Sequence, residues 1–130
     1  MKTNQKKCTL YLEVSNGTGS IEYTIDPVPT TIEIKNQQLV YNFLVDINQL
    51  TTIKIQVIKR TGIDSYIMVK RVDIGACKIQ DLNAISFLRT ENNKIKKNHG
   101  YIDCVGEFII KIHTNIVSLN YLTYLLSLTK

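Results

Sequence analysis

Apolar and polar residues alternate with a period of two along most of the chain, the pattern of strands that bury one face. Cys8, Leu10, Leu12 and Val14 fall on one side of the first run, with Thr9, Tyr11 and Glu13 on the other. Asn16-Gly17-Thr18-Gly19 is a turn signal, after which Ile21, Tyr23 and Ile25 alternate with Glu22 and Thr24. Asp26-Pro27-Val28-Pro29 interrupts pairing, because proline has no amide to give a ladder. Alternation resumes over residues 30–35 through Ile32 and Ile34, and residues 36–38 turn the chain. Residues 39–45 are apolar on both faces, with Leu39, Tyr41, Phe43 and Val45 on one and Val40 and Leu44 on the other. That pattern predicts a central strand covered on both sides.

After a loop at residues 46–50, residues 51–59 give the clearest strand, with Ile53, Ile55 and Val57 inward and Lys54 and Gln56 outward. Thr61-Gly62 turns again. Residues 65–79 are strand-like, with a break predicted at Gly75. Residues 84–88 fit a further short strand, and residues 90–100 read as an exposed polar loop. Residues 101–104 and 107–113 complete the set, with Phe108, Ile110 and Ile112 on one face. From Asn115 the period changes. Val117, Tyr121, Tyr124 and Leu128 share one helical face, with Ile116, Leu119, Leu122 and Leu126 beside it, which predicts a short helix over residues 115–128. A strand is the competing reading there.

About eight short strands, spaced by about ten residues, predict an all-β, mainly antiparallel sandwich with one short C-terminal helix. The 130 residues make one domain, residues 1–130, with a basic N-terminal tail over residues 1–7. Composition agrees. There are 19 Ile and two Ala, where a helical bundle would favour Ala and Leu.

The net charge of +5 is local. It resides in Lys2, Lys6 and Lys7 and in Arg89, Lys94, Lys96 and Lys97, and the rest of the chain is close to neutral. Nucleic-acid binding needs a broader basic footprint, so it is not expected. No apolar run is long enough for a signal peptide core or a membrane span, and a soluble protein is expected. Cys8, Cys77 and Cys104 are odd in number and lack CxxC spacing, which reads as free thiols rather than a disulfide framework.

Catalytic motifs are missing. His99 and His113 stand in neither HxH nor HExxH spacing, and no GxSxG is present. Asn16-Gly17-Thr18-Gly19-Ser20 lacks the lysine of a phosphate-binding loop and precedes a strand. Asp64, Asp73, Asp81 and Asp103 stand singly, a poor calcium pattern. No cofactor, metal or enzymatic activity is expected. Seven tyrosines without any tryptophan leave a sugar-binding face open as an alternative. Tyr11, Tyr66 and Tyr101 are expected to point outward, and Tyr23 and Tyr41 into the core.

The second half resembles a family of small β-sandwich proteins of tailed phages, lectin-like or C2-like in character. The resemblance lies in Asp64-Ser65-Tyr66-Ile67-Met68-Val69-Lys70-Arg71-Val72-Asp73-Ile74 and in Gly100-Tyr101-Ile102-Asp103-Cys104-Val105-Gly106-Glu107-Phe108-Ile109-Ile110-Lys111-Ile112. An Asp before an alternating strand, a later Gly-x-x-x-x-x-Gly-Glu-aromatic stretch and a terminal apolar segment are the shared marks. The Trp or Pro often found near that family's last segment is missing, and neither calcium nor sugar ligands are carried over. The resemblance implies a non-enzymatic virion component, an auxiliary capsid or tail-associated subunit assembled in the host cytoplasm. Its expected partners are other virion proteins or further copies of itself, and the expected docking residues are Val117, Tyr121, Tyr124, Leu128, Arg89, Lys94, Lys96 and Lys97. The alternatives are a carbohydrate-binding module and a small cytoplasmic regulatory or inhibitor protein.

Overall fold

Strict alternation places one row of Ile, Leu and Val on each strand, and two sheets are needed to hide those rows from water. A computed structural model describes residues 5–35, 38–46, 50–75 and 77–113. Among them, eleven strands run β1 (Gln5–Ser15), β2 (Ser20–Asp26), β3 (Thr31–Lys35), β4 (Gln38–Asp46), β5 (Leu50–Thr61), β6 (Tyr66–Ile74), β7 (Cys77–Ile79), β8 (Ser86–Thr90), β9 (Ile95–Lys96), β10 (Tyr101–Ile102) and β11 (Gly106–His113). The first sheet has the order β10-β6-β1-β4-β3, with β7 added on β6, and the second has the order β2-β5-β11-β8-β9. All the pairings are antiparallel. The expected sandwich is what forms.

The inward rows meet as one core. Leu10, Leu12, Phe43, Ile67, Val72 and Ile74 of the first sheet pack on Ile53, Ile55, Val57, Leu88, Phe108 and Ile110 of the second. Each such side chain contributes about 1.5–3 kcal/mol on burial. Cys8 lies in this core at 0% exposure. Burial, then the nearby Asp73 carboxylate, pushes its thiol up to about 12. None of the three cysteines is in a disulfide.

Several boundaries differ from the alternation pattern. β1 begins at Gln5 and pairs Gln5–Lys7 with Leu44–Asp46, so residues 5–7 belong to the sheet and not to a tail. β4 is next to the edge rather than central, although Val40 and Asn42 on its outer side are buried. Residues 82–84 form a turn of 3-10 helix before β8. The polar stretch 90–100 contains β9. The break at Gly75 is real, with φ +58° between β6 and β7. The helix expected over residues 115–128 lies outside the described residues. No described helix is long and apolar enough to cross a membrane.

The chain changes sheet between β1 and β2 and again between β5 and β6, and these two turns are fastened to each other. The Asp64 carboxylate accepts hydrogen bonds from the Thr18 amide at 2.9 Å and the Thr18 hydroxyl at 2.8 Å. Thr61 Oγ1 accepts from the Ser20 amide at 2.8 Å. Gly17 sits at φ +57°, where a Cβ would come within 2.4 Å of the Asp64 carboxyl carbon. The glycine turn thus binds an anion that the protein supplies itself.

Candidate functional site

The inward residues of β6 fall at Ile67, Val69, Val72 and Ile74, all 2% exposed or less. The phase slips between Val69 and Val72. Tyr11 of β1 pairs with Arg71 while Leu12 pairs with Val69, so Lys70 is the extra residue of a β-bulge. The consequence is chemical: Lys70 and Arg71, neighbours in sequence, both project from the outer face of the first sheet.

They land among three tyrosines. Tyr11 projects outward from β1, Tyr66 from β6 and Tyr101 from β10, as their register dictates. The Tyr66 and Tyr101 rings lie 5.2 Å apart between centroids with a 33° tilt. The Tyr66 hydroxyl donates to Glu13 Oε2 at 2.6 Å, and Lys70 Nζ meets Glu13 Oε1 at 3.1 Å. The Arg71 guanidinium covers the Tyr11 ring at 4.4 Å and makes a two-pronged pair with Asp73, at 2.9 and 3.1 Å. Tyr11, Gln38, Lys70, Arg71 and Gln80 line a depression of about 390 Å³.

The electrostatics of this face are balanced. Glu13 and Asp73 offset Lys70 and Arg71. The Tyr66 hydroxyl first, and Lys70 second, hold the Glu13 carboxyl below its usual range. Glu13 in turn raises the Tyr66 hydroxyl, and Asp73 raises Arg71. The face offers rings, held charges and two amides, with no local excess of either sign.

Tyr101 is positioned by a segment that the sequence presents only as a polar loop. Its amide donates to Asn98 O at 2.9 Å, and Asn98 Nδ2 donates to Tyr101 O at 2.6 Å. The His99 amide donates to Asn83 Oδ1 at 2.9 Å, and the Asn83 side-chain amide reaches His99 Nδ1 at 3.0 Å. His99 is thereby tied to the 3-10 turn.

The basic cluster separates into two kinds of residue. Arg89 pairs with Glu107 at 3.5 Å on the outer face of the second sheet, where Lys54 meets the same carboxylate at 3.1 Å. Lys97 Nζ donates to Asn83 O at 2.7 Å and Ser86 O at 3.0 Å, fastening its loop. Lys94 and Lys96 are exposed. Val117, Tyr121, Tyr124 and Leu128 lie outside the described residues. No cluster of His, Cys, Asp or Glu fit for a metal occurs among the described residues.

Tyr23 and Tyr41 do face inward, as their alternation requires, but at an open end of the core. Their hydroxyls are 2.6 Å apart, and with Ile25, Pro29 and Ile32 they line a second depression of about 300 Å³. Burial, then the Tyr41 hydroxyl, raises the Tyr23 hydroxyl.

No family model matches the chain, and no curated protein does. A solved structure described as vCBM60 in complex with galactobiose aligns with a TM-score of 0.46 at 12% identity, covering 82% of this chain and 99% of that one. A likeness of that size carries no argument about what this chain binds.

Proposed function

We propose that this chain is a non-catalytic carbohydrate-binding domain whose glycan lies across the outer face of the first sheet. One observation carries the proposal: the Tyr66–Tyr101 ring pair shares the outer face with the Tyr11–Arg71 stack and the depression edged by Gln38 and Gln80, and Glu13 ties the two through Tyr66 and Lys70. Sugar rings present apolar C–H faces between hydroxyls. They need flat rings to lie on and polar groups that donate and accept at fixed positions. The balanced charge of the face favours neutral sugars, because Lys70 and Arg71 are already engaged by Glu13 and Asp73. The test is an array of neutral and acidic oligosaccharides, with and without calcium, followed by titration of the best binder. Binding that is weakened in Tyr66→Ala and Tyr101→Ala supports the proposal, and an array blank under all conditions overturns it.

A second reading, a structural subunit of a tailed-phage virion, draws support from another place. Strand β3 leaves Ile32 and Ile34 at 60% and 76% exposure, surface that assembly would cover. Co-purification with particles tests it, and absence from purified particles overturns it.

A further inference from the structure

β3 is an edge strand, and its only partner among the described residues is β4. All five of its residues are exposed. Natural edges are often guarded by a charge that points inward, by a bulge or proline, or by a covering element. Here the outer side carries Glu33 and Lys35, while the inner side carries only Ile32 and Ile34. The other large exposed apolar residues, such as Ile63 and Ile95, do not share a strand edge in this way.

A second copy of the same strand fits this edge. Antiparallel self-pairing about a two-fold axis must centre on a residue, since paired side chains point to the same face. Centring on Glu33 opposes two like charges. Centring on Ile32 sets Lys35 against Pro29, which has no amide for the ladder. Centring on Ile34 sets Glu33 opposite the other copy's Lys35 twice over and packs Ile34 against Ile34. Within one copy Lys35 and Glu33 already lie 3.5 Å apart on the same side, so both charges stand where the second strand would meet them.

We infer that two copies of this chain pair through β3, antiparallel and centred on Ile34, to join their first sheets into one continuous sheet. The inference does not rest on the glycan proposal, whose rings stand on β1, β6 and β10. It is tested by sedimentation across a hundredfold range of concentration, with circular dichroism to confirm that each variant is folded. The native chain shows a concentration-dependent dimer. Glu33→Lys and Lys35→Glu, which each create like-charge pairs, weaken it at least tenfold, and the double exchange Glu33→Lys/Lys35→Glu restores it. Ile34→Cys yields an intermolecular disulfide under mild oxidation, because directly opposed residues have the Cβ spacing a disulfide needs. A chain that stays monomeric at every concentration overturns the inference. So does a dimer that is indifferent to the single exchanges or not rescued by the double one.

Discussion

Tyr66 and Glu13 are 53 residues apart in sequence, and the Tyr66 hydroxyl donates to the Glu13 carboxylate at 2.6 Å. The bond crosses from β6 to β1 on the outer face of the first sheet, and it fixes the ring that stacks beside Tyr101. Glu13 is also the anion that holds Lys70. One carboxylate therefore orients both an aromatic surface and a cation.

On the glycan proposal, the two rings and their anchor differ in what their loss does. Tyr101→Ala removes half of the stacking surface and weakens binding about tenfold, equivalent to about 1.4 kcal/mol. Tyr66→Phe keeps the ring but frees it from Glu13, and weakens binding by a smaller factor. Calorimetric titration of both variants with the array's best ligand checks the order. Equal loss in the two would mean that the hydroxyl, not the ring, makes the contact.

Acid removes two fastenings. The Glu13 and Asp64 carboxyls both titrate below their ordinary values of 4.5 and 3.8 in the folded chain. Tyr66 is the leading cause for the first, and the Thr18 amide for the second. The unfolded chain thus takes up protons first as the pH falls. Their stabilisation is complete above the ordinary carboxylate range and is lost as pH drops through the lowered folded values. Urea midpoints measured from pH 7 to pH 3 are expected to fall only below about pH 4.5, and Asp64→Asn is expected to flatten that fall.

Gly17 is open to a direct test because backbone and space agree. At φ +57° a side chain is strained whatever surrounds it, and here it would also displace Asp64. Gly17→Ala is expected to cost about 1–2 kcal/mol of stability, read as a lowered urea midpoint with an unchanged slope.

Cys8 gives the alkaline counterpart. Its thiol is pushed from 9.0 to about 12 by burial, so the unfolded chain ionises first as pH rises. The stabilisation is complete below pH 9 and is lost as pH approaches 12. At neutral pH a thiol reagent is expected to label Cys77 and Cys104, which are half-buried, well before Cys8. Mass spectrometry of the labelled peptides with time gives the order.

Strand identity was legible wherever one face alone is buried, as in β1, β2 and β5, because period-two alternation is a direct image of a half-buried sheet. It was less legible at β4, where Val40 and Asn42 are buried on the outer side by neighbours in space. The outward direction of Tyr11, Tyr66 and Tyr101 was also legible from parity. Their gathering on one face was not, because it depends on β6 and β10 pairing across the order of the sheet. The ties from His99 to Asn83 join segments distant in sequence, which local pattern does not carry. One signal of the bulge does lie in the sequence: the buried positions of β6 are spaced two, three and two, with Lys70 and Arg71 in the gap.

That gap makes the outer face a matter of counting rather than of identity. Removing the single residue Lys70 would restore unbroken alternation from Ile67 to Ile74 and leave every core side chain of β6 in place. It would also retire the Lys70–Glu13 contact and the room beside Arg71. A relative with the same core and one residue fewer in β6 would thus share the fold and the outward tyrosines but lack this cation, and the length of this strand is the character by which to tell them apart.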